Sequence, residues 1–171
     1  MASITVQAPN LVNWLVKPAL YCAAGSLLLA LPVKILGLQL PEPVFAMVPA
    51  FAWAAIRPSV LPPLALVALG LFLDVLWGGP LGLWPLCLLT AYALAFTVRR
   101  ALAAEGFGAL WAWYAAVCAL GFGAGVLLVT VVSGEVPSLI GVALQFAVTA
   151  ALFPMSWLLV ERYDDADVRF R

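Results

Sequence analysis

Long apolar runs, each closed by a charged residue or a Pro/Gly cluster, occupy nearly the whole chain. A bilayer hydrocarbon core about 30 Å thick requires roughly 20 apolar residues for each crossing helix. The pattern therefore predicts an all-α fold, a polytopic membrane helix bundle with about six transmembrane helices in a single domain, 1–171. The predicted spans cover about residues 14–36, 43–56, 60–77, 80–98, 108–132 and 137–160, with a cytoplasmic tail at 161–171.

Helix-stopping residues set the ends of these spans. Span two ends at Arg57-Pro58, because proline disfavours the helical conformation of the residue before it. Pro80 is expected in the first turn of span four, where its missing N–H has no intrahelical partner to lose. Span two has only about 14 residues, so it begins earlier, thins the bilayer or is re-entrant. Lys17 and the run after it superficially suggest a signal peptide, but without an A-x-A cleavage site the first helix is expected to be retained.

Composition strengthens the membrane prediction. The chain is 66% apolar and 9% charged, whereas soluble domains are about 45–50% apolar and about 25% charged. The eight basic and eight acidic residues balance, which argues against a basic surface for nucleic acid. Three scattered cysteines are read as small buried apolar side chains. The sequence has no histidine, which removes histidine triads and histidine metal sites.

The basic residues predict the orientation of the bundle. With six spans, one side carries seven of them and the other side carries only Lys34. By the positive-inside rule, both termini are expected in the cytoplasm. A five-span arrangement would divide the charges four against four. The seven are Lys17, Arg57, Arg99, Arg100, Arg162, Arg169 and Arg171.

Asp74 is the one acid inside a predicted span, and an ionisable group at that depth is a candidate for function. It lies about one turn from the end of span three, where the helix dipole disfavours a carboxylate. Lys34, or the free N–H groups of Gly79–Gly82, could compensate its charge. A structural role at the turn, binding of a partner or ligand, and proton transfer all stay open.

Small residues recur at a spacing of four around this acid. Gly70, Asp74, Gly78 and Gly82 follow one another at that interval, and such spacing lets neighbouring backbones approach closely. Because Pro80 interrupts the helix, the series predicts a helix–turn–helix corner. Gly121 and Gly125 form a GxxxG pair in span five, for packing within the bundle or against a partner helix.

Catalysis is not expected from these residues, and no cofactor or metal is predicted. Intramembrane aspartyl chemistry needs two acids in one site, a serine nucleophile needs an activating base, and Mg²⁺ needs clustered carboxylates. The only acidic cluster, 164–167, follows the last span, where it is a solvated end or a docking tail.

Two stretches of the sequence resemble a known family. Ile56-Arg57-Pro58, the run to Asp74 and the segment Gly-Leu-Phe-Leu-Asp-Val-Leu-Trp-Gly-Gly-Pro-Leu-Gly-Leu are similar to the central signature of MreD, a subunit of the bacterial rod-shape machinery. Leu-Phe-Pro-Met-Ser-Trp-Leu-Leu before the charged tail is similar as well. The resemblance marks Arg57, Pro58, Gly70, Asp74, Gly78 and Gly82 as a structural or partner-binding motif.

The resemblance implies a non-enzymatic subunit of the bacterial inner membrane that binds MreC directly and supports peptidoglycan synthesis during elongation. Its indirect partners would be MreB, RodZ, RodA and the elongation transpeptidase, besides membrane lipid. The family's fold resembles the substrate-binding subunits of vitamin transporters. The alternative function is therefore small-solute binding or transport, although the spans offer few polar groups for it.

Overall fold

The computed structural model describes residues 12–29, 42–56, 59–102 and 105–158. These ranges contain helices and connecting turns, with no β-strand, so the predicted all-α helical bundle is confirmed. Three stretches are long and apolar enough to cross a membrane: Leu83–Leu102, Phe107–Ser133 and Leu139–Leu158. In chain order the elements are a π-helical segment (Val12–Val16), α1 (Lys17–Leu29), α2 (Met47–Ile56), α3 (Leu61–Trp77), α4 (Leu83–Leu102), α5 (Phe107–Ser133) and α6 (Leu139–Ala150).

Helix α4 is the centre of the bundle. It packs extensively against α2, α3 and α5, while α6 lies against α5 at the periphery. One face of α4 carries the buried side chains Cys87, Leu88, Ala91 and Ala95. Apolar side chains on the outer faces of α1, α3, α5 and α6 remain exposed, as expected for helices that face lipid.

Helix α2 is shorter than the predicted span 43–56. Its ten residues extend about 15 Å, and Met47 to Ala54 are buried on all sides. Residues 42–46 before it are not helical. Pro49 explains the late start, because proline in a helix clashes with the carbonyl four residues earlier, here that of Phe45.

Helix α4 begins later than predicted. Pro80 lies in the turn between α3 and α4 rather than in the first turn of α4, which starts at Leu83 and has Pro85 in that position. The physical reason is Gly82, whose φ of 96° lies outside the helical region. The helix can therefore begin only after this residue.

Two backbone carbonyls lie four residues before a proline, and each accepts a hydrogen bond from a tryptophan side chain of another helix. Pro18 cannot donate to Trp14, and the Trp14 carbonyl accepts from Trp53 Nε1 of α2 at 3.2 Å. Pro154 cannot donate to Ala150, and the Ala150 carbonyl accepts from Trp111 Nε1 of α5 at 3.1 Å. Hydrocarbon offers no hydrogen bonds, so such carbonyls need a partner inside the protein.

The second of these prolines interrupts the predicted sixth span. Helix α6 ends at Ala150, residues 151–152 form a turn, and the helix resumes over 153–158. Thr149 stands at this break: its hydroxyl accepts from Val44 N at 3.1 Å, and its carbonyl accepts from Tyr114 Oη at 3.2 Å. Gln145 Nε2 donates to the Glu42 carbonyl at 3.1 Å. Side chains of α6 thus satisfy the non-helical backbone before α2.

We expect Trp53→Phe and Trp111→Phe each to lower the free energy of unfolding in detergent by about 1 kcal/mol, because each leaves a proline-freed carbonyl without its donor. Trp113→Phe is the matched control, since its half-buried indole makes no hydrogen bond within the described ranges. Denaturant titration with fluorescence or circular dichroism measures the difference. Equal losses for all three variants would show that ring packing, and not the N–H, matters.

Candidate functional site at the α3–α4 corner

Helix α3 ends in a turn built around the main chain of Asp74. Gly78, at φ 64°, ends the helix, and its N–H donates to the Asp74 carbonyl. Gly79 N donates to the same carbonyl at 3.2 Å. Glycine reaches this left-handed conformation without a Cβ penalty, which is why it so often follows a helix.

The carboxylate of Asp74 holds the beginning of the next helix. Oδ2 accepts from Gly82 N at 2.6 Å, and Oδ1 accepts from Trp84 N at 2.9 Å. The side chain is 1% exposed. Together with its carbonyl, this one residue accepts from four backbone N–H groups, and it joins the end of α3 to the start of α4.

The charge of the carboxylate is compensated by the start of α4. The first N–H groups of a helix lack intrahelical partners, and the helix dipole places partial positive charge there. The N–H groups expected from the sequence do contact the carboxylate, although they include Trp84 N beyond Gly79–Gly82. Lys34 lies outside the described residues.

The four recurring residues have three different roles at this corner. A Cβ on Gly70 would lie 2.7 Å from Pro85 Cα, so Gly70 marks the close approach of α3 to α4. Gly78 and Gly82 have open space around them and instead carry positive φ. The expectation that Gly78 and Gly82 serve close backbone approach is wrong, because it is their left-handed backbone conformation that requires glycine.

Aromatic rings surround the corner on the side of α5. Trp77 and Trp84 pack edge to face with ring centroids 4.8 Å apart, and Trp84 packs in the same way on Phe122 at 6.1 Å. Edge-to-face pairs of this kind add to the burial of the rings. Trp84 therefore fixes the corner twice, through its main-chain N–H on Asp74 and through its ring.

The GxxxG pair of α5 packs against α4 below the corner. A Cβ on Gly121 would lie 3.0 Å from the Cys87 carbonyl oxygen, and one on Gly125 would lie 2.7 Å from Cys87 Sγ. Gly121 and Gly125 thus serve packing within the chain. Gly123, on the exposed side of α5, has open space around it.

Two candidate residues lie outside the part of the chain that the structure describes, and two polar residues of α6 have structural roles that the sequence did not predict. Arg57 and Pro58 lie outside the described residues. The described ranges hold no group of three His, Cys, Asp or Glu side chains that could bind a metal. Thr149 and Gln145 are polar residues of the predicted span 137–160, and the structure places them next to a helix break that the predicted span does not contain. Pro154 was the available signal for that break.

Comparisons with protein-family models, curated proteins and solved structures found no match to this chain. The geometry of the corner therefore carries the functional argument. A carboxylate with a backbone donor on each oxygen, beside a tight helix crossing, positions two helices relative to each other.

We expect Asp74→Ala to lower the free energy of unfolding by about 2–5 kcal/mol, because it leaves two N–H groups without their acceptor. Asp74→Asn keeps one acceptor oxygen but turns an NH₂ group towards the other N–H. Its free energy of unfolding should therefore fall less than that of Asp74→Ala, but still measurably. Thermal unfolding in detergent ranks the variants. Wild-type stability for Asp74→Ala would contradict the proposed bracing of the corner.

Gly70→Ala should destabilise the protein by about 1–3 kcal/mol, because the new methyl group meets the Pro85 backbone, which cannot move aside as a flexible side chain can. Gly123→Ala adds the same methyl group to open space on α5 and should leave stability unchanged or slightly raised. The two midpoints are compared under identical detergent conditions. If both substitutions have the same effect, the close approach at Gly70 has no energetic importance.

Proposed function

We propose that this chain is a non-enzymatic, MreD-like membrane subunit of the bacterial rod-shape complex, which binds MreC and supports peptidoglycan synthesis during elongation. The observation that carries the proposal is the state of Asp74: both carboxylate oxygens are engaged by backbone N–H groups of α4. A carboxylate used in this way sets the relative position of two helices. That suits a subunit whose work is to present a surface to partners.

The sequence resemblance supports the same function. The segment similar to the MreD signature coincides with the end of α3 and the turn into α4, where Gly70, Asp74, Gly78 and Gly82 each have a definite structural role. Signature residues that fix the relative position of two helices are expected in a family whose function is to assemble with other proteins.

The proposal includes six membrane crossings with both termini in the cytoplasm of the inner membrane. The three long helices account for half of that number. The shorter apolar helices Trp14–Leu28, Met47–Ile56 and Leu61–Trp77 would supply the others, with α2 accommodated inside the bundle. The seven-to-one division of basic residues supports the orientation.

Small-solute binding or transport is the alternative, and the interrupted α6 gives it some support. Discontinuous helices often form the binding sites of transporters. Here, however, most polar groups near the break are bonded within the protein: Thr149 to Val44 and Tyr114, and Gln145 to Glu42. Ser156 Oγ alone is buried there without a hydrogen-bond partner among the described residues. A transporter ATPase encoded beside this gene would favour the alternative, whereas an adjacent MreC gene favours the assembly subunit.

The direct test is co-purification with MreC from membranes that contain both proteins. We expect the wild-type chain and Gly123→Ala to retain MreC, and Gly70→Ala and Asp74→Ala to lose most of it, because the corner positions the helices that form the surface. Cells that depend on the two defective variants should become round. If the wild-type chain fails to retain MreC, or if cells lacking the chain keep their rod shape, the proposed function is wrong.

A further inference from the structure

The last turns of α4 extend beyond the beginning of α3. The Tyr92 hydroxyl lies 3.5 Å from the carbonyl oxygen of Ser59, two residues before α3 starts. Helix α4 continues from Tyr92 to Leu102, which at 1.5 Å per residue is about 15 Å. This part of α4, residues 93–102, therefore projects past the level at which α3 begins.

A ladder of side chains runs along this projecting part of the helix. The rings of Tyr92 and Phe96 are nearly parallel, 10° apart, with centroids separated by 6.5 Å. The guanidinium carbon of Arg99 lies 4.9 Å from the centroid of the Phe96 ring. The three side chains follow one helix face at intervals of four and three residues. This ladder, the aromatic–arginine ladder, consists of Tyr92, Phe96 and Arg99.

The ladder restricts Arg99 without occupying its hydrogen-bond donors. The π-face of a ring attracts the cation electrostatically and is not one of the oxygen acceptors that its five N–H donors can bind, so these donors stay available. Those donors match the oxygen atoms of a phosphate group in a bidentate geometry. Phe96 is 42% exposed, and Arg100 is exposed beside the ladder.

The length of α4 places this pair of arginines at the depth of lipid phosphates. Helix α4 has 20 residues and is one of the three stretches able to cross a membrane. At about 30 Å it matches the hydrocarbon core, so its last turn, which contains Arg99 and Arg100, lies at the edge of that core, where long arginine side chains extend to the headgroups. The negative end of the helix dipole also favours the two cations there.

We propose that Arg99 and Arg100, with Phe96 beneath Arg99, form a binding site for the headgroup of an anionic phospholipid. The phosphate accepts hydrogen bonds from the Arg99 guanidinium, and Arg100 supplies the second positive charge. The exposed edge of Phe96 contacts the upper part of an acyl chain. An anionic lipid is preferred over a zwitterionic one because it brings a net negative charge to two adjacent cations.

Native mass spectrometry of the purified chain with phosphatidylglycerol or phosphatidylcholine tests the site. The wild-type chain should bind phosphatidylglycerol about tenfold more tightly than phosphatidylcholine, a difference of about 1.4 kcal/mol. Arg99→Gln should remove most of this preference, and Phe96→Leu should reduce it while keeping the charge. Arg99→Lys should have an intermediate effect, because lysine keeps the charge without the planar fork.

Two control variants separate a built site from general surface charge. Arg100→Gln should weaken binding less than Arg99→Gln, since among the described residues no aromatic ring lies beneath Arg100. Lys17→Gln removes an exposed charge at the start of α1 and should change nothing. Unchanged thermal unfolding midpoints establish that the variants are folded.

Inorganic phosphate at millimolar concentration distinguishes a lipid site from a site for free phosphate. It should neither displace phosphatidylglycerol nor stabilise the chain. Displacement by free phosphate would overturn the assignment to lipid. Equal binding of the two lipids, or equal losses for Arg99→Gln, Arg100→Gln and Lys17→Gln, would overturn the site itself.

Discussion

Every backbone N–H and C=O group buried in an apolar bundle needs a partner from the protein, because lipid and neighbouring leucines offer none. Regular helices meet this demand by themselves, so the difficulty arises only where a helix starts, stops or contains proline. In this chain, side chains from other helices supply the missing partners at such places. Asp74 accepts from the start of α4, and the Thr149 hydroxyl accepts from the segment before α2. Trp53 and Trp111 donate to carbonyls that face a proline. The interruptions therefore determine how the helices are joined.

An aspartate suits the α3–α4 corner better than a neutral residue. The corner presents two N–H groups, from Gly82 and Trp84, and a carboxylate is the side chain that accepts on both oxygens without presenting a donor. Burying a carboxylate costs several kcal/mol. Two hydrogen bonds to a charged group contribute about 1.5–3 kcal/mol each, and the dipole of α4 adds up to about 2 kcal/mol. Cost and gain are of the same order, so the acid is tolerable only where all these contributions meet.

Local features of the sequence predicted part of this arrangement. The helical class follows from apolar runs, and the compensation of Asp74 by N–H groups follows from its position one turn before a Pro/Gly turn. Pro154 is a local signal for the break in α6, but no local pattern contains the contacts that satisfy the backbone there. Trp111 lies 39 residues before Ala150, and Val44 lies 105 residues before Thr149. The equal spacing of the glycines also gave no sign that glycine is required for two different reasons. Gly70 avoids a clash with Pro85, whereas Gly78 and Gly82 adopt positive φ.

The burial of helix α2 and the bonding of the segment before it bear on whether the chain assembles with partners or binds a solute. The segment before α2 is bonded to Thr149, about 15 Å along the interrupted stretch Leu139–Leu158, which extends about 30 Å. The non-helical backbone at that depth is acceptable because it is enclosed by protein. Met47 to Ala54 then fill the space among α3, α4 and α5 with side chains that are almost completely buried. A solute site at the centre of the bundle would require this helix to be displaced, whereas a partner helix needs only the outer faces of the bundle. The buried α2 therefore favours assembly.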